Sequence, residues 1–429
     1  MGQFVSGSWA LLLGIMLLMV GNGVQGTLLG IRGEIEGFST FEMSIVMSAY
    51  FVGFLGGSKL TPEMIRRVGH VRVFAALASV ISAVLVLYPV AANPWVWIFA
   101  RVLIGFSFSG VYVTAESWLN NAATNETRGT ALSIYMLVQM IGIIAAQGIL
   151  MLSDPSGFAI FVIPSILVSL AVTPILLSVS PTPAFESSKS MPLRKLWRTS
   201  PLGVFGVFLL GGVFAAQFGM SAVFGTATGL SVSQISIFVA SFYVGATISQ
   251  FPLGWLSDRM DRRLLITMVA AVGVAGGLLG MVPIDSFWLL VTSALFLGGT
   301  ANPLYSILIA HTNDFVEIDD LPGVSGGLIF VNGLGAIAGP VVIGALMSRF
   351  GPNSFFGFMA AVLGTLTLYA VYRATRRAAP AVDDTISLTP VTQSATPVVW
   401  DAAQEMAQIE AEEAAEASDL AAEEAMLKN

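Results

Sequence analysis

Two ionisable side chains, Arg101 and Glu116, interrupt the apolar run 95–119. In apolar surroundings such groups serve to hold an anion, to shift a neighbouring carboxylate's proton affinity, or to carry a proton. On one helix their spacing turns through 1500°, which is 60° beyond whole turns, so they share a face. They stand about 22 Å apart along the axis and cannot pair directly. Tyr112 and Gly105 fall near the same stripe. A second set is uncharged: Asn22, Gln25, Gln139, Gln147, Gln217, Gln250, Asn302 and Asn332. An amide in a lipid-like medium needs a partner, so each must face another helix or a wet cavity. Tyr112, Tyr135, Tyr243 and Tyr305 can add stacking or a hydroxyl, with packing as their default role.

Other chemistry is not written here. His70 and His311 are the only histidines and there is no cysteine, so no metal-ligand cluster or disulfide framework is readable. No phosphate-binding loop occurs, and Gly333-Leu-Gly335-Ala-Ile-Ala-Gly339 misses the dinucleotide-binding spacing. No cofactor and no enzymatic activity are expected. Gly335-x-x-x-Gly339-Pro340 instead allows close helix approach and a kink.

The elements that must position these residues follow from composition. The chain has 429 residues, 55% of them hydrophobic and 10% charged, against ~25% charged in a soluble domain. Mean hydropathy is +0.82. A water-soluble fold cannot hide this much apolar surface, which excludes a soluble enzyme, a nucleic-acid binder and a disordered chain. An all-α membrane protein remains. A spanning helix takes about 20 apolar residues, and twelve runs qualify: 8–30, 42–60, 73–92, 95–119, 130–152, 158–179, 201–226, 235–256, 264–283, 287–310, 324–347 and 354–373. The first has no basic leader and is too long for a signal peptide. The opening MGQFVS fits an acylation pattern that a twelve-helix protein hardly needs.

Basic residues orient the runs. With the N-terminus inside, inner loops and inner helix ends hold Lys59, Arg66, Arg67, Arg72, Arg128, Lys189, Arg194, Lys195, Arg198, Arg259, Arg262, Arg263, Arg373, Arg376 and Arg377; outer loops hold Arg32 and Arg349. Both termini are therefore expected in the cytoplasm. Asn125-Glu-Thr127 fits a glycosylation sequon but falls on the inner side. The expected organisation is a six-helix bundle over 1–180, a central cytoplasmic loop over 181–200, a second six-helix bundle over 201–377 and an acidic tail over 378–429. The tail carries eleven acids and one base, the body eighteen bases and fifteen acids. The sequence pI of 4.9 thus belongs to the tail. Residues 378–400 read as a flexible linker, and 401–427 as a helix-prone Ala/Glu segment with Asp401 as N-cap and sparse apolar marks at Met406, Ile409, Leu420 and Leu427. This segment is expected to be solvated or to dock on a basic partner.

Each half repeats a loop between its second and third helices, GSKLTPEMIRRVGHVR over 57–72 and PLGWLSDRMDRR over 252–263. The second copy resembles the loop signature of the major facilitator superfamily, G-x-L-(A/S)-D-R-x-G-R-(R/K), with Asp261 where glycine is usual. In the first copy Pro62 replaces the leading glycine and Arg66 the aspartate, while Arg67 and Gly69 remain. Arg101-x-x-x-Gly105 looks like the family's intramembrane arginine motif. GSKLT…RRVG, ESWLN at 116–120 and GLGAIAGP at 333–340 look most like an uncharacterised, YcaD-like bacterial branch. The stretch Gly142–Gly148 lacks the proline of the antiporter motif, which disfavours a typical drug/proton antiporter.

That resemblance implies a secondary transporter in the bacterial inner membrane whose two pseudo-equivalent six-helix bundles rock about a midplane cavity. Helices 1, 4, 7 and 10 would line the cavity, making Asn22, Gln25, Arg101, Tyr112, Gln217 and Asn302 the substrate-contact candidates. Arg101 would otherwise snorkel or cap helix 1 carbonyls. Glu116 would carry the proton, or latch the inner side closed against Arg66 or Arg67. In the second half Asp314 and Glu317 of the loop after helix 10 would meet Arg259, Arg262 or Arg263 near Asp258. The expected partners are a small organic solute, protons and lipid, with a monomeric chain, no nucleic acid, and export slightly favoured. A non-transporting sensor or scaffold presenting the acidic tail, or a lipid flippase, are the alternatives. Impermeant labelling of tags at the two chain ends should reach both from the cytoplasmic face alone; labelling on opposite faces would contradict the even span count.

Overall fold

The computed structural model describes residues 2–122, 127–177, 191–283, 286–316 and 321–376, with Leu388, Val391, Thr396, Val398, Val399, Ala402, Glu405 and Ile409 of the tail. The sequon's Asn125, Glu317, most of the central loop and Asp401 lie outside the described residues, as do Met406, Leu420 and Leu427. Regular structure among the described residues is helical: α1 (Gly2–Ile35), α2 (Thr40–Val68), α3 (His70–Val90), α4 (Pro94–Ala122), α5 (Arg128–Met151), α6 (Ala159–Leu177), α7 (Leu193–Thr199), α8 (Pro201–Ala215), a π turn (Ala216–Met220), α9 (Ser221–Ala227), α10 (Val232–Ser257), α11 (Arg262–Gly280), α12 (Phe287–Asn313), α13 (Leu321–Phe350) and α14 (Ser354–Ala374). Eleven candidate spans are long and apolar enough to cross a bilayer, with α8, the π turn and α9 acting as one; α6 adds a shorter apolar helix. Each of the twelve expected runs thus coincides with a helix.

The two halves start their second helices identically. Ser39 and Glu42 form a capping box at α2, and Ser231 and Gln234 form one at α10. In each box the serine hydroxyl accepts the third residue's N–H and that residue's side chain accepts the serine N–H, satisfying donors a helix start leaves open. The matched register continues into Tyr50-Phe-Val-Gly53 and Phe242-Tyr-Val-Gly245. A Cβ on Gly53 would overlap the Val102 carbonyl, and one on Gly105 the Tyr50 carbonyl. In the second half a Cβ on Gly245 would overlap the Leu295 carbonyl, and one on Gly298 the Phe242 carbonyl. Glycine is what lets α2 touch α4, and α10 touch α12, backbone to backbone, as small residues do where helices meet without a hydrophobic driving force. The Gly335 and Gly339 pair similarly seats α13 on Phe208 and Gly212 of α8.

The halves meet through α1 on the π turn and α9, α2 on α13, and α5 on α10. The contacts named next lie toward the end assigned as outer. Gly30 sits against Ala222, Gly344 against Ser44, and the Ser48 hydroxyl donates to the Ile337 carbonyl at 2.6 Å. On the other side the expected central loop contains α7. Its Leu196 is buried against Gly327, while Arg194, Lys195 and Arg198 are exposed. One apolar anchor with an exposed basic face suits a short helix lying along a membrane–water interface.

Gly105→Leu should cost about 3 kcal/mol, at the upper end of the overpacking range, because the obstacle is backbone. Gly148→Ala, where no heavy atom lies within 4 Å of the new Cβ, should be neutral. Thermal unfolding in detergent, read as monodisperse fraction, distinguishes the two; equal stability would contradict the close crossing.

Candidate substrate cavity

Between the halves lies a cavity of about 810 Å³, its open mouth included. Its wall draws on α1, α2, α4, α5, α8, the π turn, α10, α12 and α13. Asn22, Tyr50, Tyr112, Gln139, Tyr243, Asn302 and Asn332 supply its polar atoms, and Phe51, Phe54, Phe214 and Phe218 supply aromatic faces. The rings interlock across the two halves: Phe218 of the π turn lies 5.5 Å from Tyr50, and Phe214 lies 6.1 Å from Phe51. A π turn inserts an extra residue per turn and re-aims its side chains. Phe218 accordingly faces the cavity while its neighbour Gln217 turns away to donate to the Leu297 carbonyl at 3.2 Å.

Three of the expected substrate contacts, Asn22, Tyr112 and Asn302, are in the wall; Gln25, Arg101 and Gln217 stand behind it. Arg101 is fully buried. It donates to Gln25 Oε1 at 3.0 Å, points a second nitrogen at Met47 Sδ at 3.3 Å, and lies 4.9 Å from the Tyr50 ring centroid. Gln25 passes the polarity on, donating to Asn22 Oδ1 at 3.0 Å, and Asn22 donates to the Tyr112 hydroxyl at 2.8 Å. The arginine neither snorkels nor caps a helix 1 carbonyl: it is one end of a relay, Arg101–Gln25–Asn22–Tyr112, whose other end is cavity wall. A cation held by an amide and an aromatic face is stabilised by dipole and quadrupole. The relay also fixes which end of the Asn22 amide points where.

Sequence reasoning passed over Tyr50, Phe51, Phe54, Phe214 and Phe218. The matched Tyr50-Phe-Val-Gly53 and Phe242-Tyr-Val-Gly245 segments were the available signal for the first two. Gln139, Asn332 and Tyr243 had been noted only as polar or aromatic members of their helices.

Glu116 lies one turn beyond Tyr112 on α4 and is buried. Its Oε1 accepts from the Tyr135 hydroxyl at 2.6 Å, and its Oε2 from the Thr396 N–H at 3.2 Å and the Thr396 hydroxyl. The expected basic partners are engaged elsewhere, since Arg66 and Arg67 both bind Glu63 on their own helix. In the second half Arg262 meets Asp314. It also reaches Asp258 at 3.4 Å, the Ser257 hydroxyl at 3.2 Å and the Ala310 carbonyl at 3.3 Å. This ties α10, α11 and α12 together within one half. Arg259 stacks on Trp255 instead, 4.3 Å from the ring centroid, and Arg263 binds Asp261. Burial pushes the Asp261 carboxyl up, but side-chain and backbone hydrogen bonds from Arg263 outweigh it and hold the group below its ordinary value.

Gln25→Leu should destabilise the fold by about 3 kcal/mol, because it strips a buried charge of its amide partner. Adding Arg101→Met should recover most of that loss, since an apolar pair fills the same space without a charge to solvate. Thermal unfolding of the two single variants and the double variant closes the cycle; simple additivity would contradict the coupling.

The family model of the Major Facilitator Superfamily matches residues 11–229 and 203–404. An uncharacterized MFS-type transporter of Enterobacter sp. (strain 638) is 28% identical over 358 residues, 82% of this chain and 92% of that protein. The uncharacterized MFS-type transporter YcaD of Escherichia fergusonii is 26% identical over 356 residues, with the same shares covered. Among solved structures, a point variant of the nucleoside transporter NupG superposes with a TM-score of 0.72 at 15% identity, covering 85% of this chain and 99% of that one. At that identity the likeness speaks for the fold. With the family model covering both halves, the chain belongs to the Major Facilitator Superfamily and is a multi-pass membrane transport protein.

Proposed function

We propose that the chain is a secondary active transporter of a small, uncharged or amphipathic organic solute, working by alternating access with protons as the coupling ion. The observation that carries this reading is the cavity wall: both halves build it, and its named polar atoms are amides and phenols interleaved with aromatic rings. A wall of that kind binds a flat solute by stacking and fixes it with a few directed hydrogen bonds. Arg101 acts from behind the wall. Its charge biases the site against cations, and its hydrogen bond to Gln25 holds the Asn22 amide ready. Glu116, a turn beyond Tyr112 on the inner side, serves as proton carrier or as the inner latch to Arg66 and Arg67 when that side closes. Export is favoured over uptake, because a cavity without a charged wall suits solutes that partition from the bilayer. Both chain ends are placed in the cytoplasm of a bacterial cell, on the basic-residue count.

A panel of metabolites and drugs screened by thermal shift on purified protein should yield uncharged aromatic solutes as stabilisers, since a ligand that binds only the folded state raises its stability. In vesicles loaded with such a solute, Arg101→Ala should reduce flux at normal insertion, and Glu116→Gln should abolish proton-linked flux while leaving solute exchange. Retained proton-linked flux, with only a shifted conformational equilibrium, would reassign Glu116 to the latch. Stabilisation by cations alone would contradict the substrate class.

A further inference from the structure

The tail, expected as a solvated linker and helix, is the unexplained feature. Its described residues return to the body: Val391, Thr396, Val399 and Ala402 are buried. The Leu388 N–H donates to Asp258 Oδ1 at 2.8 Å, at the inner end of α10. Val391 and Ser306 of α12 bond both ways, each at 3.0 Å, with the Val391 N–H donating to the Ser306 hydroxyl and that hydroxyl donating to the Val391 carbonyl. Thr396 crosses to the other half and gives Glu116 its N–H and its hydroxyl.

The sequence agrees with this placement. Residues 385–400 carry no charged side chain, although the tail around them, from Asp383 to Glu424, is strongly acidic. Only an uncharged segment can enter a low-dielectric vestibule without a large desolvation cost. Val391 also lines a second cavity of about 550 Å³ between α5 and α10, which shares Met140 and Asn302 with the central one. The tail therefore stands on the route from the central cavity to the cytoplasmic side.

We propose that the tail, through Leu388, Val391, Thr396, Val399 and Ala402, is an intramolecular ligand of the inner vestibule and holds the transporter in an autoinhibited state. The segment spans the two halves, from Glu116 on one to Asp258 and Ser306 on the other, in the space that must narrow when the inner side closes. While bound it blocks solute passage, covers Glu116 from cytoplasmic water, and wedges the halves apart. Thr396 is its specificity contact, because it supplies both a backbone and a side-chain donor to a buried carboxylate. The regulatory consequence rests on the transporter reading; the docking itself does not.

The chain has no cysteine, so Ser133→Cys, on the wall of the second cavity beside Val391, provides a single reporter thiol. Its reaction with an impermeant maleimide is followed in inside-out vesicles holding the full chain, a truncation lacking 380–429, or the full chain with Val391→Asp and Val399→Asp. The tail-free and charge-bearing proteins should label about tenfold faster, as expected when a protective local contact is lost. A synthetic peptide of residues 388–402 should slow labelling of the truncated protein again. Equal rates in all three proteins, or no effect of the peptide, would overturn the proposal. No flux is measured, so failure of the proton-coupled reading would leave this outcome standing, and the reverse holds too.

Discussion

A full positive charge buried in an apolar body is the constraint around which this molecule is arranged. Arg101 is fully buried, and its contacts are an amide, a thioether and an aromatic face. Removing a guanidinium from water without such partners costs several kcal/mol. The two helices that supply them, α1 and α2, cannot drift away from α4, which carries the arginine, without exposing that cost. Gly53 and Gly105 make the approach of α2 and α4 sterically feasible. The relay through Gln25 then carries the order imposed by the charge to Asn22 and Tyr112 in the cavity wall. Packing, charge solvation and site geometry are one problem with one solution here.

The second half repeats the packing without the charge. Counting from Gly105 and its counterpart Gly298, Ala294 stands in the place of Arg101 and Ile309 in that of Glu116, whereas Tyr305 matches Tyr112. The two bundles therefore share a scaffold and divide the labour. The first carries the ionisable line along α4, and the second contributes amides, aromatic rings and the Arg262 staple. A pair of bundles that match in shape but differ in chemistry suits rocking about a common seam. The tail fits this division, because it bonds the buried carboxylate of one bundle and the hydroxyl and carboxylate at the inner edge of the other.

Much of this was legible in the residues. The twelve apolar runs coincide with helices because lipid permits no other backbone solution at that length. Arg101 and Glu116 stood out as ionisable groups that must have a reason, and Arg262 with Asp314 stood out as opposite charges at neighbouring loops. Side-chain direction was less legible. Helical periodicity places Gln25 and Asn22 on one face of α1, but not which of them reaches the cavity and which turns to Arg101. The π turn at Ala216–Met220 has no composition signature, so Gln217 seemed to face inward until the extra residue rotated Phe218 into its place. The tail was less legible for a different reason. Its acidity averages over 378–429, whereas Leu388, Val391 and Thr396, whose N–H groups bond to the helices, carry no charge.

The central claim is that two rigid bundles rock about the cavity held by the Arg101 relay. In a chain free of native cysteine, paired spin labels can be placed at Arg67→Cys and Arg259→Cys at the end that carries the basic loops, and at Glu34→Cys and Thr228→Cys at the opposite end. Double electron–electron resonance in lipid nanodiscs should give two distance populations for each pair, exchanging weight in opposite senses when a stabilising solute is added. A single, unchanging distance at both pairs under every condition would contradict the account.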